Sequence, residues 1–145
     1  MLKKIPSIIS PELLHVLMEM GHGDEICLAD GNFPAASMGK CVVRLDGHGT
    51  EAILRAVLEF FPLDTFVEKP VALMRTVSDN EPQPEIWGKY RWIIETSEEK
   101  EAFPGFEMME RFAFYERAKE CFAVVATGES ALYANIILKK GVVKK

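Results

Sequence analysis

Apolar residues follow two patterns that alternate along this chain. Between Ser10 and Gly21 they recur every three or four residues, as on one face of a helix, and a serine followed by a proline is a typical helix start. From Glu25 to Asp30 they form a short continuous run, which is typical of a strand buried on both faces. The patterns predict helix 11–20, strands 25–30 and 41–45, helix 50–61 capped by Thr50, strand 71–77, helix 85–95, edge strand 106–111, helix 115–121, and strands 122–127 and 136–139.

The alternation of helices with strands predicts an α/β fold, in which helices pack on a mostly buried, layered sheet. The 145 residues suffice for a single domain, 1–145, with one ordinary core. Segment 78–84 is the most linker-like stretch, but we interpret it as a surface loop within that domain. Segment 30–34 is dense in turn-forming residues and is predicted to be a loop.

Charge and cysteine content exclude several classes of protein. The net charge of -5 argues against nucleic-acid binding, which requires a basic face. No segment approaches the ~20 apolar residues of a membrane span, and no signal peptide is recognisable. Cys27, Cys41 and Cys121 are widely spaced without a CxxC pattern, so we expect three buried, reduced thiols. A cytoplasmic protein is the expectation.

Two residues stand out as candidates for chemistry. His22 has a glycine on each side, so its ring can be approached closely, and an ordinary imidazole, with a pKa near ~6.5, suits proton transfer. Position alone slightly favours another interpretation, in which His22 is a helix C-terminal histidine stabilised by the dipole. Asp30 ends an apolar strand beside the 30–34 loop, where an Asx-turn is the simpler explanation.

Other polar residues and motifs carry less information by themselves. By its position alone, we interpret Arg111 as a surface charge and Arg117 as part of a charged helix face. We interpret Tyr133 as a turn residue and Asn135 as the start of a strand. The chain contains no HExxH, GxGxxG, P-loop or GxSxG motif. The residues alone therefore predict an α/β domain with one candidate acid/base histidine.

Five short stretches, spread in order over nearly the whole chain, form a recognisable combination. They are Ser10–Leu14 with Met20–Glu25, Asp30–Pro34, Arg44–Gly47, Arg111–Ala118, and Thr127–Glu129 with Tyr133–Gly141. Together they resemble the fucose mutarotase/ribose pyranase family, and Arg111–Ala118 resembles its fucose branch specifically. Two positions differ from that branch: Asn32 stands where bacterial enzymes commonly carry histidine, and Ala134 where glycine is frequent.

The resemblance implies a function and a site. It implies an RbsD-like fold and L-fucose mutarotase activity, an isomerase reaction that interconverts the α and β anomers through ring opening. His22 is then the catalytic acid/base, and the groups that bind the monosaccharide substrate are Asp30, Arg111, Tyr133 and Asn135. The resemblance further implies no metal or other cofactor, and a homo-oligomer with its site near a subunit interface.

Three other functions remain open from the sequence. One is D-ribose pyranase activity through the same open chain, the second is a non-catalytic sugar-binding oligomer, and the third is a metal-dependent isomerase that uses His22 and Asp30. Four aromatic residues near the expected site favour L-fucose for its methyl group, unless they are core residues. They are Phe33, Phe112, Phe114 and Tyr115.

Overall fold

The computed structural model describes residues 1–145 and confirms the α/β class. Its strands are β1 (Glu25–Ala29), β2 (Val42–Leu45), β3 (Val71–Met74), β4 (Glu107–Met109), β5 (Ala123–Thr127) and β6 (Ile136–Lys139). Its helices are α1 (Pro11–Glu19), α2 (Ala35–Met38), α3 (Thr50–Val57), α4 (Glu85–Glu95) and α5 (Arg111–Glu120), and a short 3-10 helix covers Lys100–Ala102.

All six strands form one mixed sheet in the order β2-β5-β1-β6-β3-β4. β6 is antiparallel to both of its neighbours, and every other pairing is parallel. β1 to β5 therefore run in one direction, and the residues that follow them lie at the same edge of the sheet as the residues that precede β6. We call this the carboxyl edge, and the opposite one, where β1 to β5 begin, the amino edge.

The alternation of side chains along each strand divides the core into two layers. In β1, Ile26 and Leu28 belong to the layer covered by α1, α3 and α4, whereas Cys27 and Ala29 belong to the layer covered by α2 and α5. All four are buried, which confirms the prediction of a strand buried on both faces. The second layer is rich in small side chains, so α5 can pack close to the sheet.

Helix α5 begins four residues earlier than predicted, at Arg111 rather than Tyr115. The cause is Glu110, whose carboxylate accepts hydrogen bonds from the backbone N–H groups of Phe112 (2.9 Å) and Ala113 (3.1 Å). Strand β4 consequently stops at Met109, short of the predicted end at Arg111. It is the outermost strand on one side of the sheet, as predicted.

Other element bounds also differ from the predictions. Thr50 is the first residue of α3 rather than its cap, and the helix ends at Val57 rather than Phe61. β3 ends at Met74, three residues before the predicted Val77. The four-residue helix α2 was not predicted, because a single turn is too short to show a helical period.

Two expectations about individual residues were wrong. Cys27 and Cys121 are buried, but Cys41 is exposed because it directly precedes the edge strand β2. Arg117 is not a solvated helix residue: its half-buried guanidinium forms ion pairs with Glu25 of β1 and Glu107 of β4. Arg117 thus ties α5 to the sheet. No helix has the length and apolar character needed to cross a membrane.

Candidate active site

Asp30 and Asn135 meet at the carboxyl edge, where β1 ends and β6 begins. The backbone N–H of Asp30 donates to Asn135 Oδ1 at 2.8 Å, and Asp30 Oδ1 accepts from the N–H of Asn32 at 3.0 Å. Asp30 therefore does start an Asx-turn, yet its carboxyl group is buried next to a polar cleft of about 270 Å³. Burial raises the pKa of this carboxyl group, although nearby backbone N–H groups oppose the shift.

Tyr133 is held at the same edge in an unusual backbone conformation. Its φ of +57° lies in the left-handed region, which costs an aromatic residue about 1–3 kcal/mol. Two side chains of α4 hold the backbone there: the indole N–H of Trp87 donates to the carbonyl of Tyr133 at 2.8 Å, and the hydroxyl of Tyr90 donates to that of Ala134 at 2.6 Å. Both hydrogen bonds thus act on the backbone that leads into Asn135.

Glu129 joins the loops that carry these groups. Its carboxylate accepts from both the N–H and the hydroxyl of Thr50, each at 3.1 Å, and so caps the start of α3. Its carbonyl oxygen accepts from the N–H of Gly31 at 2.8 Å. The 128–135 segment is thus attached to the loop after Asp30 and to a helix at once.

Arg111 lies at the same edge but away from Asp30, because it follows β4, three strand positions from β1. Its guanidinium lies over the ring of Phe112, 4.7 Å from the centroid, and forms no hydrogen bond with the other predicted site residues. Of the four aromatic residues considered for a methyl contact, Phe33 and Phe114 are buried in the core, whereas Phe112 is 61% exposed and Tyr115 is half-buried.

His22 lies at the opposite, amino edge, in the turn between α1 and β1. Gly23 has a φ of +87°, a conformation that favours glycine, and its N–H donates to the carbonyl of Lys140. The Nε2 atom of His22 is 3.0 Å from Oδ1 of Asp64, and the imidazole contacts the ring of Phe66 at 4.9 Å between centroids. His22 remains 45% exposed, whereas Asp64 is buried.

The pairing with Asp64 determines which ring nitrogen of His22 is free. Burial acts to raise the pKa of Asp64, but hydrogen bonds from the N–H of Phe66 and from His22 outweigh it and lower that pKa. An ionised carboxylate only accepts hydrogen bonds, so Nε2 carries the proton and Nδ1 is available for proton transfer. Sequence reasoning missed Asp64; the signal was a lone acid directly after the apolar run Phe60–Leu63.

Within one chain the predicted site residues fall into two groups. Asp30 and Asn135 are in contact at the carboxyl edge, where Tyr133 and Arg111 also lie, and His22 is at the amino edge. The five-residue strand β1 separates His22 from Asp30, and at ~3.3 Å per residue it spans roughly 16 Å. One edge therefore offers an acid/base group, and the other offers donors and acceptors for hydroxyl groups.

No group of three or more His, Cys, Asp or Glu side chains is arranged to hold a metal ion.

This chain is similar to known proteins over nearly its whole length. Residues 3–143 match the model of the RbsD / FucU transport protein family. The fucose mutarotase of Homo sapiens is 52% identical, over 97% of this chain and 94% of the relative. A crystal structure of the fucose mutarotase from Streptococcus pneumoniae in complex with L-fucose is 48% identical, with a TM-score of 0.89 over 99% of this chain and 100% of that one. The structure of FucU from Bifidobacterium longum is 55% identical, with a TM-score of 0.90 over 97% and 99%.

Proposed function

Because this chain belongs to the RbsD / FucU transport protein family, we infer that it is an L-fucose mutarotase, an isomerase that interconverts the α and β anomers of the sugar. The observation that carries this conclusion is the identity of 52% with a fucose mutarotase over nearly the whole of both chains. The similarity to a fucose mutarotase crystallised with L-fucose supports a monosaccharide as the substrate.

The reaction needs a proton acceptor and a proton donor near the sugar ring. The anomeric hydroxyl loses its proton, the ring oxygen gains one, and the bond between the anomeric carbon and the ring oxygen breaks. Rotation of the resulting aldehyde, followed by closure, gives the other anomer. We assign the proton transfer to Nδ1 of His22, and such general acid/base assistance typically contributes ~10²–10⁴-fold. Asp64 accepts a hydrogen bond from Nε2 and so fixes the orientation and the tautomer of the imidazole.

Asp30, Arg111, Tyr133 and Asn135 are proposed to bind the sugar hydroxyls. Asp30 offers acceptor oxygens of its carboxyl group, Asn135 the N–H donors of its amide, and Arg111 the charged donors of its guanidinium. Tyr133 offers its ring face and its hydroxyl. None of these steps requires a cofactor.

The separation of His22 from Asp30 supports a site shared between two copies of the chain. A sugar bound at the carboxyl edge of one copy lies beyond the reach of its own His22, but the amino edge of a second copy can supply that histidine. Large apolar side chains are exposed at both edges, with Phe66 73% exposed beside His22 and Leu132 65% exposed beside Tyr133. We therefore propose a homo-oligomer of one-domain subunits, located in the cytoplasm, where three free cysteines persist.

Magnetisation-exchange NMR tests the proposed function, because the anomers and ring forms of each sugar give separate signals. We expect the protein to accelerate exchange between the anomers of L-fucose more than exchange between the pyranose and furanose forms of D-ribose. Faster catalysis on D-ribose would support the pyranase alternative. Saturable sugar binding without faster exchange would support a non-catalytic binding protein.

A further inference from the structure

The hydroxyl group of Tyr133 is held by the loop that follows β3. It donates to Oε1 of Glu81 at 3.1 Å and accepts from the backbone N–H of Val77 at 3.4 Å. The same Glu81 oxygen accepts from the N–H of Ser78 at 3.3 Å, which closes the turn. Neither Glu81 nor Tyr133 is fully exposed, and both line one cleft of about 430 Å³ beside the carboxyl edge.

The hydrogen bonds that the Tyr133 hydroxyl already makes limit what it can offer to a ligand. A phenolic hydroxyl has one proton to donate and two lone pairs that accept. The Tyr133 hydroxyl donates its one proton to Glu81, and the N–H of Val77 donates to one of its lone pairs. One lone pair remains, so the hydroxyl can meet a sugar hydroxyl only as an acceptor. We propose that Glu81 is a positioning residue that fixes the direction of the Tyr133 hydrogen bond, and with it the orientation of the bound sugar. This inference rests on the proposed function.

Glu81 is a specific candidate rather than one acid among several in the loop. The neighbouring Asp79 is exposed and forms no hydrogen bond through its side chain. The backbone of Tyr133 is held independently of Glu81, by Trp87 on α4. Removal of the Glu81 side chain therefore deprives the Tyr133 hydroxyl of its acceptor while the tyrosine backbone stays in place.

A double-mutant cycle tests the proposal on the full-length protein. L-fucose exchange is measured at several sugar concentrations for the wild type, Glu81→Ala, Tyr133→Phe and the double variant, with Asp79→Ala as the matched control. We expect Glu81→Ala to lower kcat/KM about tenfold, mainly through KM, because the misdirected Tyr133 hydroxyl loses its hydrogen bond to the sugar. The double variant should match Tyr133→Phe, and Asp79→Ala should match the wild type.

Conservative substitution and the cycle together separate positioning from loop structure. Glu81→Gln retains an acceptor oxygen and should recover most of the activity that Glu81→Ala loses. A purely structural role in the loop would lower activity by the same factor whether or not Tyr133 has its hydroxyl. That result, or wild-type activity of Glu81→Ala, would overturn the proposal.

A second measurement keeps this inference distinct from the proposed function. If the wild type does not accelerate L-fucose exchange, the mutarotase assignment fails. The hydrogen bond can still be examined by NMR of protein labelled with ¹³C at the Cζ carbon of tyrosine. The chain has only three tyrosines, so Tyr133→Phe assigns the signal. We expect Glu81→Ala to shift the Tyr133 signal and Asp79→Ala to leave it unchanged; an unmoved signal in Glu81→Ala would contradict the inference.

Discussion

At the scale of single residues, His22 combines an exposed ring with a buried partner, Asp64. His22→Ala removes the acid/base group and also deprives the buried carboxylate of a donor. We expect exchange of L-fucose to fall ~10²–10⁴-fold and the free energy of unfolding to fall by ~1–3 kcal/mol.

His22→Gln separates these two effects, because its amide can still donate to Asp64 but cannot transfer protons. We expect it to be as inactive as His22→Ala and clearly more stable in urea unfolding. Substantial activity in a folded His22→Gln variant would remove the histidine from the mechanism.

Asp30→Asn tests the buried carboxyl group at the carboxyl edge. The asparagine oxygen can still accept from the N–H of Asn32, so the loop should remain folded while L-fucose exchange falls about tenfold or more. Exchange NMR and a melting curve measure the two properties. Unfolding of the variant would mean that Asp30 serves mainly as a turn residue.

The raised pKa of Asp30 gives this substitution a pH signature. The folded protein holds the Asp30 proton at pH values where the unfolded chain has lost it, so the contribution of Asp30 to wild-type stability falls as pH rises from the ordinary aspartate pKa through the raised one. Asp30→Asn lacks this loss, and all other carboxyl groups are shared. Stability of the variant relative to the wild type should therefore increase with pH in urea unfolding. A difference that does not vary with pH would contradict the shift.

The remaining exposed aromatic surface near the carboxyl edge bears on the choice of sugar. With Phe33 and Phe114 in the core, Phe112 and Tyr115 are the two of the four candidate aromatic residues that offer accessible ring surface for the methyl group of L-fucose. Burial of one methyl group is worth ~0.8 kcal/mol, so we expect exchange of L-fucose to be a few-fold faster than that of L-galactose. Equal rates at matched concentrations would argue against a methyl contact.

At the scale of elements, α4 contributes no sugar-binding group but holds the backbone of the 133–135 segment. Trp87→Phe removes the N–H that donates to the carbonyl of Tyr133 and keeps an aromatic ring in the core. We expect a loss of about 1 kcal/mol in the free energy of unfolding and a several-fold higher KM for L-fucose. Trp92→Phe, on the exposed side of the same helix, is the control and should change neither property. Equal effects of the two substitutions would show that α4 does not position Tyr133.

At the scale of the whole molecule, the two edges of the sheet lead to a test by complementation. His22→Ala retains Asp30, and Asp30→Asn retains His22. If each site takes His22 from one copy and Asp30 from another, a randomly mixed oligomer regains roughly a quarter of its sites. The two variants are unfolded together, refolded, and assayed for L-fucose exchange against each variant refolded alone. No recovery in oligomers shown to be mixed, or full wild-type activity in a monomer, would contradict the shared site.

The local elements and several site residues could be predicted from the sequence, for identifiable reasons. The helical period of α1 and the apolar run of β1 are properties of adjacent residues, so they need no knowledge of the fold. Asp30 could be found because it interrupts an apolar run, and the motifs around His22 and Tyr133 indicated the family. The start of α5 was missed, because the cap at Glu110 outweighs a weak apolar period.

The sequence by itself determined the order of helices and strands, the α/β class, the family and the residue types of the site. Only the tertiary structure decided that His22 pairs with Asp64, that Glu81 meets Tyr133, and that His22 and Asp30 lie at opposite edges. The physical reason is the range of the interactions. Helical and strand periods arise from neighbouring residues, whereas strand order and direction depend on pairings between segments far apart in the chain, such as β1 with β5 and β6.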